Sequence, residues 1–275
     1  MPRRASKARR RRRNAVHAIA GAALIGISAL VVFAGVTAWW KAQSDQVSLD
    51  ESTLCPTSGP SSVTAILVDQ TDPLTRIQKA DLESKLMKVA TGIEKFGQLS
   101  LHSVAQDAEK PYRTHFVKCN PGSGENASSV TSNPQLKRRR WKDLFATPVA
   151  AVLGQLLNAA PARRSPLMES LQWLSVSYFA QHRSRGIPIK LIFASDLLQH
   201  SDAFSHYRAR MTFSSFKKSP EYGLIHTDLR GVSVHIYLLR RSGRKAIQDN
   251  ALIGFWKQYF ESQGAAIARV LRVQG

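Results

Sequence analysis

Acidic residues are scarce in this 275-residue sequence, with 19 Asp and Glu against 39 Lys and Arg and a formal net charge of +20. Cysteine is scarcer still: Cys55 and Cys119 are the only two. Two thiols exclude a disulfide-dense miniprotein and any paired-cysteine zinc motif. The chain also has no Gly-x-Ser-x-Gly elbow, no P-loop and no His-Glu-x-x-His pair, which removes the commoner enzyme classes. No internal repeat is present. What it does have is 43% hydrophobic and 21% charged residues, the composition of a folded protein rather than a disordered one. Its length suits one medium-sized domain with appendages.

The positive charge is unevenly placed. Eight basic residues, Arg3, Arg4, Lys7 and the run Arg9 to Arg13, fall within the first thirteen positions. From Ala15 to Trp40 there is then no Asp, Glu, Lys or Arg, and His17 is the sole titratable side chain. A helix of about 20 apolar residues crosses the hydrocarbon layer, and Trp39-Trp40-Lys41 suits the far interface. The pattern predicts a basic cytoplasmic arm over 1–14, a transmembrane helix over 15–40, a polar linker over 41–62 and a globular domain over 63–275. The positive-inside rule makes this a single-pass inner (cytoplasmic) membrane protein whose C-terminal domain is periplasmic or otherwise extracytoplasmic. A secretory signal cleaved after Val36-Thr37-Ala38 leads to the same compartment. There, Cys55 and Cys119 are expected to form a disulfide, with two unrelated buried thiols as the other reading.

Within the domain, Val63 to Val68 and Ile187 to Ala194 are aliphatic runs stopped abruptly by Asp69 and by Ser195-Asp196. Such runs read as strands buried on both faces of a parallel sheet. Helical spacing over Thr75 to Glu94, Pro148 to Leu157, Pro166 to Gln181 and Ala246 to Gln263 alternates with further strands at Leu99 to Val104, Tyr112 to Lys118, Val232 to Leu239 and Ala268 to Val273. Asn120 to Trp141 reads as a polar, charged insertion. The expectation is an α/β fold: a doubly wound, mostly parallel sheet of about six strands with helices on both faces. Ligands of such sheets bind beyond the carboxyl ends of the strands.

Three segments bring chemistry to those ends: Asp69-Gln70-Thr71-Asp72-Pro73-Leu74-Thr75, Ser165-Pro166-Leu167-Met168-Glu169 and Ser195-Asp196. In order and spacing the chain resembles a von Willebrand factor type A domain from about Val63 to its end. That family carries Asp-x-Ser-x-Ser after the first strand, a Thr or Ser opening a later helix, and an Asp after the fourth strand. The resemblance implies a metal-ion-dependent adhesion site made by Asp69, Thr71, Ser165 and Asp196, holding a divalent cation, Mg²⁺ or Mn²⁺, that reaches an acidic group on a protein partner. Pro73 stands where the family has its second Ser, so Asp72 or Thr75 would have to supply the missing oxygen. Without a cation, two close carboxylates repel. Arg163 and Arg164, beside Ser165, are the candidate counter-charges. An ordinary helix start explains Asp72-Pro73 and Ser165-Pro166 equally simply.

Two other readings compete. A haloacid dehalogenase-like phosphatase would use Asp69 as nucleophile, but the chain lacks a lysine placed as phosphate clamp, and Pro73 commits the loop to a helix start. No enzymatic activity is expected. The patch Lys137, Arg138, Arg139, Arg140 and Lys142, with Trp141, would suit a DNA-handling membrane protein. Its predicted place outside the cytoplasm makes a solvated loop, anionic lipid or an acidic protein the better fit, and nucleic acid is not expected. Glu169 reads either as a residue that orients the site by hydrogen bonding or as a first-turn acid favoured by the helix dipole, and His200 and His206, near Asp196, read as satisfied surface imidazoles, with pH sensing as the other reading.

Overall fold

The computed structural model describes residues 23–37, 39–40, 47–106, 110–125, 133–158, 162–208, 211–241, 243 and 247–275. Contacts divide the chain into two units, Met1–Ser48 and Leu49–Gly275. In the first, residues 23–37 form helix α1 with exposed side chains. Among the described residues no helix is long and apolar enough to cross a membrane. The basic arm, residues 15–22 and Ala38 of the expected span, and residues 41–46 of the expected linker lie outside the described residues.

The second unit is an α/β fold around six strands: β1 (Val63–Val68), β2 (Gln98–Val104), β3 (Tyr112–Cys119), β4 (Ile189–Ser195), β5 (Val232–Leu238) and β6 (Ala266–Arg272), in the order β3-β2-β1-β4-β5-β6. Every residue of β1 is buried, as an aliphatic strand flanked on both edges must be. All neighbours run parallel except β3, which is antiparallel to β2. The connection between them is too short for the crossover that a parallel partner requires, and Ala105 N–H donates to Pro111 O at 2.7 Å across it.

Helices cover both faces. On one, α2 (Arg76–Thr91) and α4 (Thr147–Leu156) pack Leu82, Leu86, Val149 and Leu153 against Ile66, Val68 and Ile192. On the other lie α5 (Leu167–Leu174), α6 (Ala180–Arg183), α7 (Phe213–Lys217), α8 (Pro220–Ile225) and α9 (Asn250–Ser262), with Trp256, Tyr259 and Phe260 fully buried against Phe193 and its neighbours. Adjacent strand positions point to opposite faces, which is why Ala65 and Leu67 join one core and Ile66 and Val68 the other. A capping box of Thr75 and Gln78 starts α2 three residues beyond Asp72. Pro73 therefore precedes the helix, and the loop after β1 is longer than a helix start at Pro73 implies. The end of the expected insertion is also helical: Asn133 caps α3 (Pro134–Trp141), which runs through a π-turn, Lys142–Ala146, into α4.

The compact unit begins at Leu49, ahead of the expected Val63. Cys55 and Cys119 form a disulfide across a sequence separation of 64, tying this leading segment to the end of β3, and Gln98 Nε2 donates to Cys55 Sγ at 3.3 Å. Closing a loop of that size restricts the unfolded chain, so the Cys55→Ala/Cys119→Ala double variant should lose about 4 kcal/mol of stability, read from urea midpoints under oxidising conditions. A shift below about 1 kcal/mol would show that the bridge does not constrain unfolding.

Strand β2 also buries a polar row, Gln98, Ser100 and His102, beneath Tyr178. Tyr178 Oη donates to Gln98 Oε1 at 2.7 Å, and His102 Nδ1 lies 3.0 Å from Thr114 Oγ1. Burial, with a smaller contribution from nearby His115, pushes the His102 pKa down to about 3 from 6.5. The unfolded chain thus binds the proton more readily. Stability from this residue is complete above pH 6.5 and is lost as pH falls from there towards 3. The slope is about 1.4 kcal/mol per pH unit. Urea midpoints across this range should fall less steeply in His102→Phe; an unchanged slope would mean that His102 is not held neutral.

Candidate functional site

Strands β1 and β4 are adjacent and parallel, so their carboxyl ends emerge side by side. Asp69 follows β1, its N–H donating to Ala194 O at 2.8 Å, and Asp196 follows β4. Each aspartate is 1% exposed. Of the six strand-end residues expected here, Asp69, Thr71 and Ser165 are joined directly. Thr71 Oγ1 donates to Asp69 Oδ1 at 2.6 Å and Thr71 N–H to the same oxygen at 3.0 Å. Ser165 Oγ lies 3.4 Å from Asp69 Oδ2. Asp196 stands beside them, near enough that the two carboxylates feel each other's charge. Asp72 is half-buried at the edge, and Thr75 is not part of the site because its hydroxyl caps α2.

Ser165 is not a helix cap. The N-cap of α5 is Pro166 without a side-chain bond, and Gln199 Oε1 instead accepts from Met168 N–H at 2.9 Å. Gln199 is itself oriented by Glu169, to which its Nε2 donates at 2.8 Å. Ser165 and His200 exchange backbone hydrogen bonds of 2.8 and 2.9 Å, which fix the loop after β4 against the start of α5. The serine hydroxyl is thereby left to face Asp69.

Three residues contribute to the site without having been assigned to it from the sequence. Ser195, the last residue of β4, donates from Oγ to Asp69 Oδ2 at 2.9 Å and accepts from Leu197 N–H at 2.9 Å. Arg241, beyond β5, donates from Nε to Asp196 Oδ2 at 3.0 Å. Its terminal nitrogens reach Pro73 O at 2.8 Å and Asp72 O at 3.4 Å. Gln248 holds both partners of that ion pair: its Oε1 accepts from Arg241 N–H at 2.6 Å, and its Nε2 donates to Asp196 O at 3.0 Å. The expected counter-charges lie elsewhere. Arg164 pairs with Asp202 at 2.7 Å, and Arg163 N–H donates to Gln106 Oε1 at 3.2 Å. Both precede Ser165, whereas Arg241 follows β5, the strand next to β4.

Burial first, and then the Asp69 carboxylate, raise the Asp196 pKa well above the usual carboxylate range; Arg241 and the Leu198 N–H oppose the rise without cancelling it. Leu197 is held in the left-handed region at φ 65°, with its carbonyl accepting from Trp256 Nε1 at 2.7 Å. Above the aspartates opens a cleft of about 260 Å³, lined by Thr71, Asp72, Arg163, Arg164, Ser165, Leu198, His200 and Tyr207. His206, in contrast, is turned inward among Phe204, Phe255 and Trp256. The basic residues Lys137, Arg138, Arg139, Arg140 and Lys142 are exposed on α3 and the π-turn, outside this cleft.

Two carboxylates and two hydroxyls are oxygen donors of the kind a hard divalent cation takes. The Thr71 and Ser165 oxygens fit, since each donates its proton to Asp69 and keeps lone pairs for a cation, but each Asp69 oxygen already accepts two hydrogen bonds. The Asp196 carboxylate does not fit: Oδ1 accepts from Leu198 N–H at 2.9 Å and Oδ2 faces the guanidinium. The carbonyl of Pro73 is also engaged by Arg241. Among the described residues no group of three or more His, Cys, Asp or Glu side chains is placed to share a metal. The sequence matches no family model and no curated protein.

Ser195→Ala removes a donor from a carboxylate buried beyond the reach of water. It should cost about 1–3 kcal/mol in urea midpoint, while Ser165→Ala, with its longer contact, should cost less. A Ser195→Ala loss below about 0.5 kcal/mol would show that Asp69 does not depend on the Ser195 hydroxyl.

Proposed function

We propose that this chain is a binding and assembly module similar to a von Willebrand factor type A domain, held at the membrane by residues 15–40 with its domain outside the cytoplasm. It engages an acidic group of a protein partner in the strand-end cleft. One observation carries the reading: the cleft opens where the strand order reverses direction, beyond the carboxyl ends of β1 and β4. In doubly wound sheets that crevice is the usual ligand site. Its rim of Arg163, Arg164 and His200 offers donors and positive charge suited to a carboxylate. Binding is favoured over turnover because both Asp69 oxygens already accept hydrogen bonds, which leaves that carboxylate a poor nucleophile.

The test is fluorescence anisotropy of a labelled Glu-rich peptide with the full chain in detergent. Arg163→Glu combined with Arg164→Glu should weaken binding roughly tenfold or more with little change in thermal midpoint, since both side chains are exposed. If Lys137→Glu with Arg140→Glu abolishes binding and the cleft pair does not, the site is α3 and the reading fails.

A further inference from the structure

The Arg241 ion pair raises a question separate from what the cleft binds, namely what neutralises the aspartates beneath it. We propose that Arg241 is the resident cation of the strand-end site, doing for Asp196 and for the loop after Asp69 what the family resemblance assigns to a divalent metal, so that the site works without one. The inference rests on the cleft being the binding site, and it concerns how that site is charged.

Four observations support it. The Arg241 side chain is 11% exposed and that of Asp196 2%, so the ion pair is enclosed rather than a surface contact. The guanidinium also lies 3.9 Å from the Asp72 carboxylate, and so serves two of the three acids of the site. The loop position at which the hydroxyl ligand is missing is the position whose carbonyl receives the guanidinium, at 2.8 Å. One lost ligand and one gained cation therefore meet at the same point. Finally, Gln248 fixes the backbone of both Arg241 and Asp196, which makes the pairing a built feature and not a side-chain excursion.

Chemically the exchange is coherent. A guanidinium presents fixed N–H donors to carboxylate and carbonyl oxygens, is always charged, and is less strongly hydrated than a small divalent ion, so it enters a buried site at lower desolvation cost. A divalent ion added to this arrangement would stand against a positive charge already seated on Asp196. Arg241 does not line the cleft; it is a positioning residue that holds the loops after β1, β4 and β5 in register beneath it.

The experiment is Mn²⁺ binding by the full chain in detergent, read from the electron paramagnetic resonance of free Mn²⁺, together with thermal midpoints. The wild type should show no stoichiometric, Asp69-dependent uptake at free Mn²⁺ on the order of 1 mM, the weak end of affinities for oxygen-ligand cation sites. Arg241→Ala should lower the midpoint by roughly 10 °C, because it strands a buried carboxylate. Mn²⁺ should then recover part of that loss. Arg241→Met combined with Asp196→Asn should recover most of it without metal, a rescue that loss of packing alone would not give. If Arg241→Ala does not fold, the wild-type titration and the double variant decide. One equivalent of Mn²⁺ bound by the wild type and lost in Asp69→Asn overturns the proposal, as does an Arg241→Met midpoint equal to wild type. The Glu-rich peptide should bind equally in chelator and in Mn²⁺, and a requirement for Mn²⁺ also overturns it. Failure of the peptide to bind under either condition refutes the cleft reading alone, since the Mn²⁺ titration stands without it.

Discussion

Two aspartates brought together out of water at the ends of adjacent strands are the constraint around which this end of the molecule is organised. Parallel pairing of β1 with β4 forces Asp69 and Asp196 into the same low-dielectric corner, where carboxylates need hydrogen-bond donors and opposite charge. The surrounding chain supplies both. Hydroxyls of Thr71, Ser165 and Ser195 and a backbone N–H serve Asp69, while Arg241 and the Leu198 N–H serve Asp196. Gln248 and Gln199 then hold the loops that carry those donors. The left-handed backbone at Leu197 is part of the same solution, since the turn it makes lets Ser195 and Asp196 face neighbouring partners.

The fold was legible because its signals are local. Aliphatic runs at Val63 to Val68 and Ile187 to Ala194 can be satisfied only inside a covered sheet, and the acid that stops each run marks the strand's end. The antiparallel β3 follows from a connection too short for a crossover, a matter of length rather than side-chain pattern. Helix α3 escaped notice because periodicity detects a helix by its apolar stripe, and Lys137 to Arg140 has none. Only Asn133-Pro134, a cap followed by a first-turn proline, signals its start.

Half of the candidate site was legible and half was not, for a related reason. Asp69, Thr71, Ser165 and Asp196 form a pattern along the chain. Arg241 and Gln248 acquire their roles only because β5 lies beside β4, which no local spacing encodes. Ser195 stood in the segment that stops the strand, but its partner, Asp69, comes from the neighbouring strand, and local spacing does not show that. Ser165-Pro166 looked like a helix start, and the competing account failed because the actual donor to the α5 terminus, Gln199, comes from a distant loop. Capping and site chemistry draw on the same residue types, and only the partner's position separates them.

The disulfide has a mechanical side. Chain entering the domain from the N-terminus passes Leu49, then Cys55, and only later reaches Val63. A pull on that end is therefore carried through the sulfur bridge into Cys119, which pairs with Gln98 where the edge strand β3 meets β2. Residues 56–62 lie within the closed loop and are themselves hydrogen-bonded to the domain, with Ser61 N–H donating to Phe96 O at 3.1 Å and Ser62 O accepting from Gln98 N–H at 2.8 Å. Tension applied at the N-terminal end of the domain would load the edge of the sheet first and leave β1, with Asp69 at its far end, in place.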